Sequence, residues 1–249
     1  MANIIRQSGR RVVWTMAPNK SVPLQRYLVP KNFPHGRCDR KNLADQTRFM
    51  RSYDPPGYLS MVDPLAASKH EVYWKTDPHW TTVAGALYAT RVAQTLDPRL
   101  ARRQSYAYAT ESRVGQYASL LGEDSPETVT TALPTTRVAV RTAPDSTSDW
   151  PGWPSLVWDH SWDATPRSRT WPGHTLVLGD SFTLVALESL RPLFHHGRYL
   201  WVNGVPEQSL IDGIVGADTV VLEVVENFLY LDQPVLHRSF RAQLRRALR

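Results

Sequence analysis

At 249 residues and 42% hydrophobic, the chain carries enough apolar material for a sizeable core, and its 21% charged and 10% aromatic residues exclude global disorder. A single cysteine, Cys38, excludes an intrachain disulfide and a cysteine-rich zinc site. The formal net charge of +6 favours anionic partners or surfaces without bearing on fold, and no run approaches the ~20 apolar residues that cross a bilayer.

The opening "MANIIRQSGRR" lacks the apolar centre of a signal peptide, so the chain as it stands reads as soluble. "RRVVWTMAPNK" then predicts a buried strand, Val12 to Met16, ending in a loop at Pro18. From Ser21 to Tyr58 the sequence is rich in proline and charge, with one helix around Asn42 to Met50. "YWKTDPHW", Tyr73 to Trp80, sets a carboxylate and an imidazole two residues apart around a proline. The residue before a proline is pushed toward extended backbone, which would put Asp77 and His79 on one side. "TTVAGALYATRVAQTL" predicts a helix with a threonine N-cap and Val83, Leu87, Tyr88, Val92 and Leu96 on its apolar face. Gly85 inside it points to close approach of a neighbouring backbone.

Between Arg113 and Trp171 the pattern weakens to a short helix at Gln116 to Leu121 and a strand at Arg137 to Arg141. "DWPGWPSLVWDHSWDATPRSRTW" follows, a Trp/Pro-rich stretch expected as an insertion at about 143–172. Its tryptophans, Trp150, Trp153 and Trp158 among them, read either as a sugar-stacking surface or as an insertion packed on its own aromatics. Trp80 is a further candidate for substrate contact, although packing that fixes its loop suits it better. The "WD" pairs do not recur at the ~40-residue spacing of propeller blades.

The final third alternates apolar strands with helices. "HTLVLGDSFTLVALESLRPLF" and "RYLWVNGVPEQSLIDGIV" each read strand, turn, helix, and "DTVVLEVVENFLYL" gives a strand at Thr219 to Val225. This is the signature of an α/β fold, a parallel sheet flanked by helices, with functional groups at the carboxyl ends of its strands. The tail "HRSFRAQLRRALR" repeats Phe240, Leu244 and Leu248 on one helical stripe, which predicts a docked last helix with a solvated basic face.

In "LVLGDSF", Ser181 follows a strand and opens a helix, where its backbone N–H and the helix N-terminus face whatever is bonded to its Oγ. Taken alone, it is equally an N-capping serine. A serine nucleophile needs a base, and the base an orienting acid; His79 and Asp77 can supply both. No two histidines share the helical spacing of a zinc site, so no metal is expected, and without a phosphate-binding glycine loop no nucleotide cofactor is either; nucleic acid is not an expected partner.

Taken together, "TDPHWTTVAGA", "LVLGDSF" and the later "VVLEVVE" resemble the AlgJ/AlgX-type alginate O-acetyltransferases, the circularly permuted branch of the SGNH hydrolase superfamily. "VVWTMAPNKSVPLQRYLVP" and "RVGQYASLLG" also resemble segments of that family, so the resemblance runs from about Val12 to Leu231. It implies a single SGNH-hydrolase-like acyltransferase domain over residues 1–249, with the serine block last and the Asp/His block first. It further implies Ser181 as nucleophile, His79 as general base and then acid, and Asp77 as its orienting partner. Gly204 in "WVNGV" and Asn227 in "VVEN" fall where the superfamily places oxyanion donors beside the Ser181 N–H, although an arginine often follows that glutamate in this branch.

The implied activity is serine-dependent O-acetyl transfer to a polysaccharide or other glycan through an acyl-serine. The acyl donor would be supplied by a membrane-bound O-acyltransferase, in an extracytoplasmic setting at the periplasm or cell surface. Family members usually carry an extra N-terminal stretch, often with a signal or anchor, before the first strand, so the chain is expected to be either a truncated form or the soluble part of a larger protein. The alternatives are a carbohydrate esterase or deacetylase using the same residues with water, and a noncatalytic glycan-binding module.

Overall fold

The apolar runs of the C-terminal third become the middle of a six-stranded sheet. The computed structural model describes residues 1–28, 36–142, 147–150, 153–230 and 234–249. In chain order the elements are α1 (Ala2–Gln7), β1 (Arg11–Ala17), α2 (Arg37–Ser52), α3 (Val62–Ala66), α4 (Thr82–Leu96), α5 (Pro98–Ala101), β2 (Tyr106–Arg113), α6 (Gln116–Leu120), β3 (Glu127–Pro134) and β4 (Val140–Thr142). The remainder are β5 (Thr147–Trp150), β6 (Trp153–Val157), β7 (Asp159–Asp163), β8 (Trp171–Gly179), α7 (Ser181–Leu190), β9 (Phe194–Trp201), α8 (Glu207–Val215), β10 (Thr219–Val225) and α9 (Arg238–Ala247).

The sheet order is β1-β10-β8-β9-β7-β4. The first four strands run parallel, while β7 pairs antiparallel with β9, and β4 with β7. Along β8 and β10 successive side chains enter opposite cores. Leu176, Leu178, Val220 and Leu222 face the side covered by α1, α8 and α9; Val177 and Val221 face the side covered by α4 and α7. Burial on both faces explains why these strands read as unbroken apolar runs, each leucine or valine contributing about 1.5–3 kcal/mol. Phe240 and Leu244 are fully buried, so α9 docks by the stripe its sequence carries.

The two principal helices on the second face cross closely at Gly85, where an added Cβ would lie 2.8 Å from the Ala186 Cα. The threonine at the start of α4 is the N-cap residue, but its hydroxyl donates instead to the Glu71 carbonyl (2.7 Å) and ties α4 to the preceding loop.

Three elements differ from the sequence reading. The helix around Asn42 to Met50 extends over Arg37–Ser52. The strand expected at Arg137 to Arg141 forms only at Val140–Thr142, where β7 offers a partner. The Trp/Pro-rich stretch divides: β5 and β6 form a separate two-stranded ribbon, whereas Asp159–Asp163 joins the main sheet as β7. Trp162 locks that strand in place, its ring filling the space above Gly197 and its indole N–H donating to the Arg191 carbonyl (2.9 Å).

His160 on β7 is buried and accepts at Nε2 from the Arg191 guanidinium (3.1 Å). Burial, reinforced by Arg191 and opposed by Asp159, pushes its pKa down to about 4 from 6.5. The unfolded chain therefore binds the extra proton first as pH falls. The stability that neutral His160 contributes is complete above pH 6.5 and is lost progressively as pH falls to about 4, a total on the order of 3 kcal/mol. Urea midpoints measured between pH 7.5 and 4 should fall over this window, and His160→Gln should flatten the fall. An equally steep loss in the variant would assign it elsewhere.

Candidate active site

Ser181 sits where β8 turns sharply into α7. The turn requires glycine at position 179, since a Cβ there would lie 1.9 Å from the Thr183 hydroxyl. Asp180 caps the helix by accepting from the Phe182 N–H (2.8 Å), and its second oxygen accepts from the Val225 N–H (2.7 Å) at the end of β10. Glu223 accepts both the N–H and the hydroxyl of Thr183 (3.0 and 2.8 Å).

Both carboxyls are completely buried and act on each other electrostatically, so two full charges there are disfavoured. Burial and the neighbouring Asp180 push the Glu223 pKa well above the ordinary value; burial also raises that of Asp180, against the Val225 and Phe182 N–H groups that favour its ionised form. The amides of Phe182 and Thr183 are thus both occupied. The Ser181 N–H, at the first position of α7, has no intrahelical acceptor.

The segment before α4 forms a closed loop. Tyr73 and Trp80 bridge its base, and the Thr81 N–H donates to the Val72 carbonyl (3.0 Å). Inside the loop the backbone bends and is not extended: Asp77 Oδ1 accepts from the His79 N–H (2.9 Å), closing an Asx turn across Pro78. This turn, and not strand-like alternation, brings the Asp77 carboxylate beside the His79 ring.

The structure brings Ser181, His79 and Asp77 into one hydrogen-bonded row. Asp77 Oδ1 lies 2.7 Å from His79 Nδ1, and His79 Nε2 lies 2.8 Å from Ser181 Oγ. Burial opposes ionisation of Asp77, but hydrogen bonds from the His79 ring, the His79 N–H and the Gln116 N–H outweigh it and hold its pKa at about 2. An ionised Asp77 fixes the proton of neutral His79 on Nδ1, which leaves Nε2 to accept the Ser181 hydroxyl proton. The other Asp77 oxygen faces the Gln116 N–H (3.1 Å) and the Arg113 guanidinium (3.4 Å), which lies over the Trp74 ring.

This Ser–His–Asp row at the carboxyl end of a parallel strand can be set beside known proteins. Residues 2–150, more than half of the chain, match the family described as SGNH hydrolase-like domain, acetyltransferase AlgX. The chain belongs to this family. The matched segment includes Asp77 and His79, and Ser181 lies beyond it. No curated protein matches the chain.

Among solved structures, a DHHW family protein from Eubacterium siraeum superposes with a TM-score of 0.62 at 13% identity, covering 93% of this chain and 84% of that one. Bacillus cereus PatB1 with a sulfonyl adduct gives 0.61 at 13% identity, covering 93% and 85%. The O-acetyltransferase domain of Pseudomonas putida AlgJ gives 0.54 at 15% identity, covering 99% and 86%. These relatives share the α/β, SGNH-hydrolase-like fold of the acetyltransferase family.

Other candidates from the sequence are placed differently. The Gly204 N–H donates to the Trp201 carbonyl (3.2 Å), and the Asn227 amide exchanges hydrogen bonds with Asn19. The Gly204 N–H is thus engaged within its own turn, and Asn227 is joined to the first loop through Asn19. Trp80 is fully buried, its indole N–H donating to the Phe182 carbonyl (2.7 Å), so it braces the loop against α7 and is unavailable to substrate. Trp158 is half-buried and rests on Gly204. Trp150 and Trp153 pair through their backbones in the β5–β6 ribbon, and their side chains lie outside the described residues.

Sequence reasoning missed Asp180, Glu223, Gln116, Arg113, Lys20 and Glu127. Asp180, one residue before the serine at a helix start, had a readable signal as an N-cap, and Lys20, Arg113 and Gln116 lie in family-like segments that gave them no role.

Proposed function

We propose that this acetyltransferase-family chain is a serine-dependent O-acyltransferase that passes an acetyl group to a glycan hydroxyl through an acyl-serine. The observation that carries this reading is the 2.8 Å approach of Ser181 Oγ to His79 Nε2, with Asp77 on the opposite ring nitrogen. In the first half-reaction His79 Nε2 takes the Ser181 proton as Oγ bonds to the carbonyl carbon of the donor ester. The tetrahedral oxyanion faces the Ser181 N–H at the start of α7, and collapse expels the donor alkoxide, which takes the proton from His79. In the second half His79 removes the proton of a sugar hydroxyl, whose oxygen attacks the acyl-serine. Collapse breaks the acyl–Oγ bond and returns the proton to Ser181.

The sulfonyl adduct of the PatB1 structure supports the first half by analogy, since sulfonylating reagents capture activated nucleophiles. On this reading the partners are a glycan acceptor and an acyl donor delivered by a membrane-bound O-acyltransferase, and the site works outside the cytoplasm. An activated acetyl ester, supplied with and without oligosaccharides, tests the proposal. Acetylated sugar formed at the expense of free acetate is the expected result. Acetate release indifferent to every sugar tried would make the protein an esterase, and absence of both products would leave a binding module.

A further inference from the structure

The loop that carries Asp77 and His79 owes its shape to two charged side chains from distant parts of the chain. Lys20, in the turn after β1, sends its ammonium into the loop and donates to the carbonyls of Trp74 (3.1 Å), Lys75 (2.9 Å) and Asp77 (2.9 Å). An ammonium has three donors, and three loop carbonyls take them all. Glu127, at the start of β3, serves the opposite polarity: it accepts the N–H groups of Lys75 (2.6 Å) and Thr76 (2.8 Å) and the Thr76 hydroxyl (2.5 Å). One cation and one anion from outside thus satisfy much of the loop's polar backbone, and the Tyr117 N–H takes the Thr76 carbonyl (2.8 Å).

We propose that Lys20 is a positioning residue that sets the approach of His79 to Ser181 by gathering the carbonyls on both sides of Thr76, with Glu127 as its counterpart on the amides. The inference rests on the reading of Ser181, His79 and Asp77 as the reacting residues. One of the three carbonyls belongs to Asp77 itself, so displacement of Lys20 moves the residue that orients the imidazole. A flexible four-carbon stem ending in a compact charge suits this role, whereas a planar guanidinium cannot direct three donors at carbonyls converging on one point. The Tyr117 ring, 5.3 Å from the Lys20 nitrogen, covers the cation from the α6 side. Burial pushes the Lys20 pKa down, and Asp77 and Glu127 act to restore it.

Lys20→Met keeps the length of the side chain and removes its donors. It is expected to lower kcat for an activated acetyl ester about 100-fold with KM within about twofold, since a misplacement of about 1 Å costs roughly that much. Hydrogen exchange at the Lys75 and Thr76 amides should accelerate while the amides of β8 and β10 keep their protection. A kcat within about threefold of wild type overturns the proposal, as does loss of protection spread evenly over the sheet, which would make Lys20 a residue of general stability. If Lys20→Met does not fold, Lys20→Ala assayed with added propylammonium decides: recovery of kcat that saturates in the cation supports the proposal, and no recovery overturns it. A wild-type protein that turns over no ester sinks the functional reading separately, and unchanged exchange at Lys75 and Thr76 in Lys20→Met then overturns the clamp itself.

Discussion

Ser181→Ala is expected to lower turnover of an activated acetyl ester by about 10⁵-fold or more while leaving the unfolding midpoint nearly unchanged. The size of the effect follows from the chemistry: Ser181 Oγ is the hydroxyl that meets His79 Nε2, and without Oγ the acyl group has nowhere to reside between donor and acceptor. The small structural cost follows from the surroundings. The α7 N-terminus is held by Asp180 and Glu223 through Phe182, Thr183 and Val225, and Ser181 takes no part in those bonds. Mass spectrometry supplies a second readout. A sulfonyl fluoride should add once to the wild-type protein, at the peptide containing Ser181, and fail to label the alanine variant. Ester turnover above about 1% of wild type in that variant would remove Ser181 from the reaction.

Asp77→Asn is expected to lower kcat about 10⁴-fold, a loss disproportionate to the change of one atom. Asp77 is surrounded by donors. One oxygen receives the His79 N–H and ring Nδ1–H, and the other receives the Gln116 N–H and the Arg113 guanidinium. An asparagine must turn its NH2 toward one of these sides, and only the imidazole can answer by changing role. Moving the ring proton to Nε2 relieves Nδ1, but it then points a donor at Ser181 and leaves the serine without a base. Kinetics over a broad pH range, with circular dichroism as a control for folding, would check this. A variant within about tenfold of wild type would show that Asp77 serves only the loop.

Much of the fold was legible because its strands are buried on both faces. The runs around Val177, Leu200 and Val221 are uninterrupted, and their alternation with helices points to one topology. The groups proposed to react were legible for a different reason. Ser181 and His79 lie 102 residues apart, but each sits in a short motif at a helix boundary, where local chemistry restricts residue choice. What supports those motifs was not legible. Lys20 and Glu127 are charged residues in polar stretches, and nothing within their own segments distinguishes them from solvated side chains; their meaning is supplied by the loop they meet in space. The antiparallel pair β2–β3 was missed because β2 is exposed along almost its whole length and so lacks an alternating apolar face. The bond between the Asn227 amide and Asn19 was equally invisible, since the two residues lie at opposite ends of the chain.

The buried Asp180 carboxyl has an electrical consequence for the proposed reacting groups in front of it. Burial opposes its charge while the Val225 and Phe182 N–H groups and His79 favour it, so Asp180 and His79 act on each other as opposite charges directly behind the nucleophile position. A second anion, Asp77, lies at the other ring nitrogen, offset in part by Arg113. An imidazolium formed at His79 is therefore attracted from two directions. A reacting group that arrived already negative would meet the same two charges as repulsion, so the site is biased toward uncharged esters and hydroxyls at the point of bond exchange, whatever charge the rest of the substrate carries.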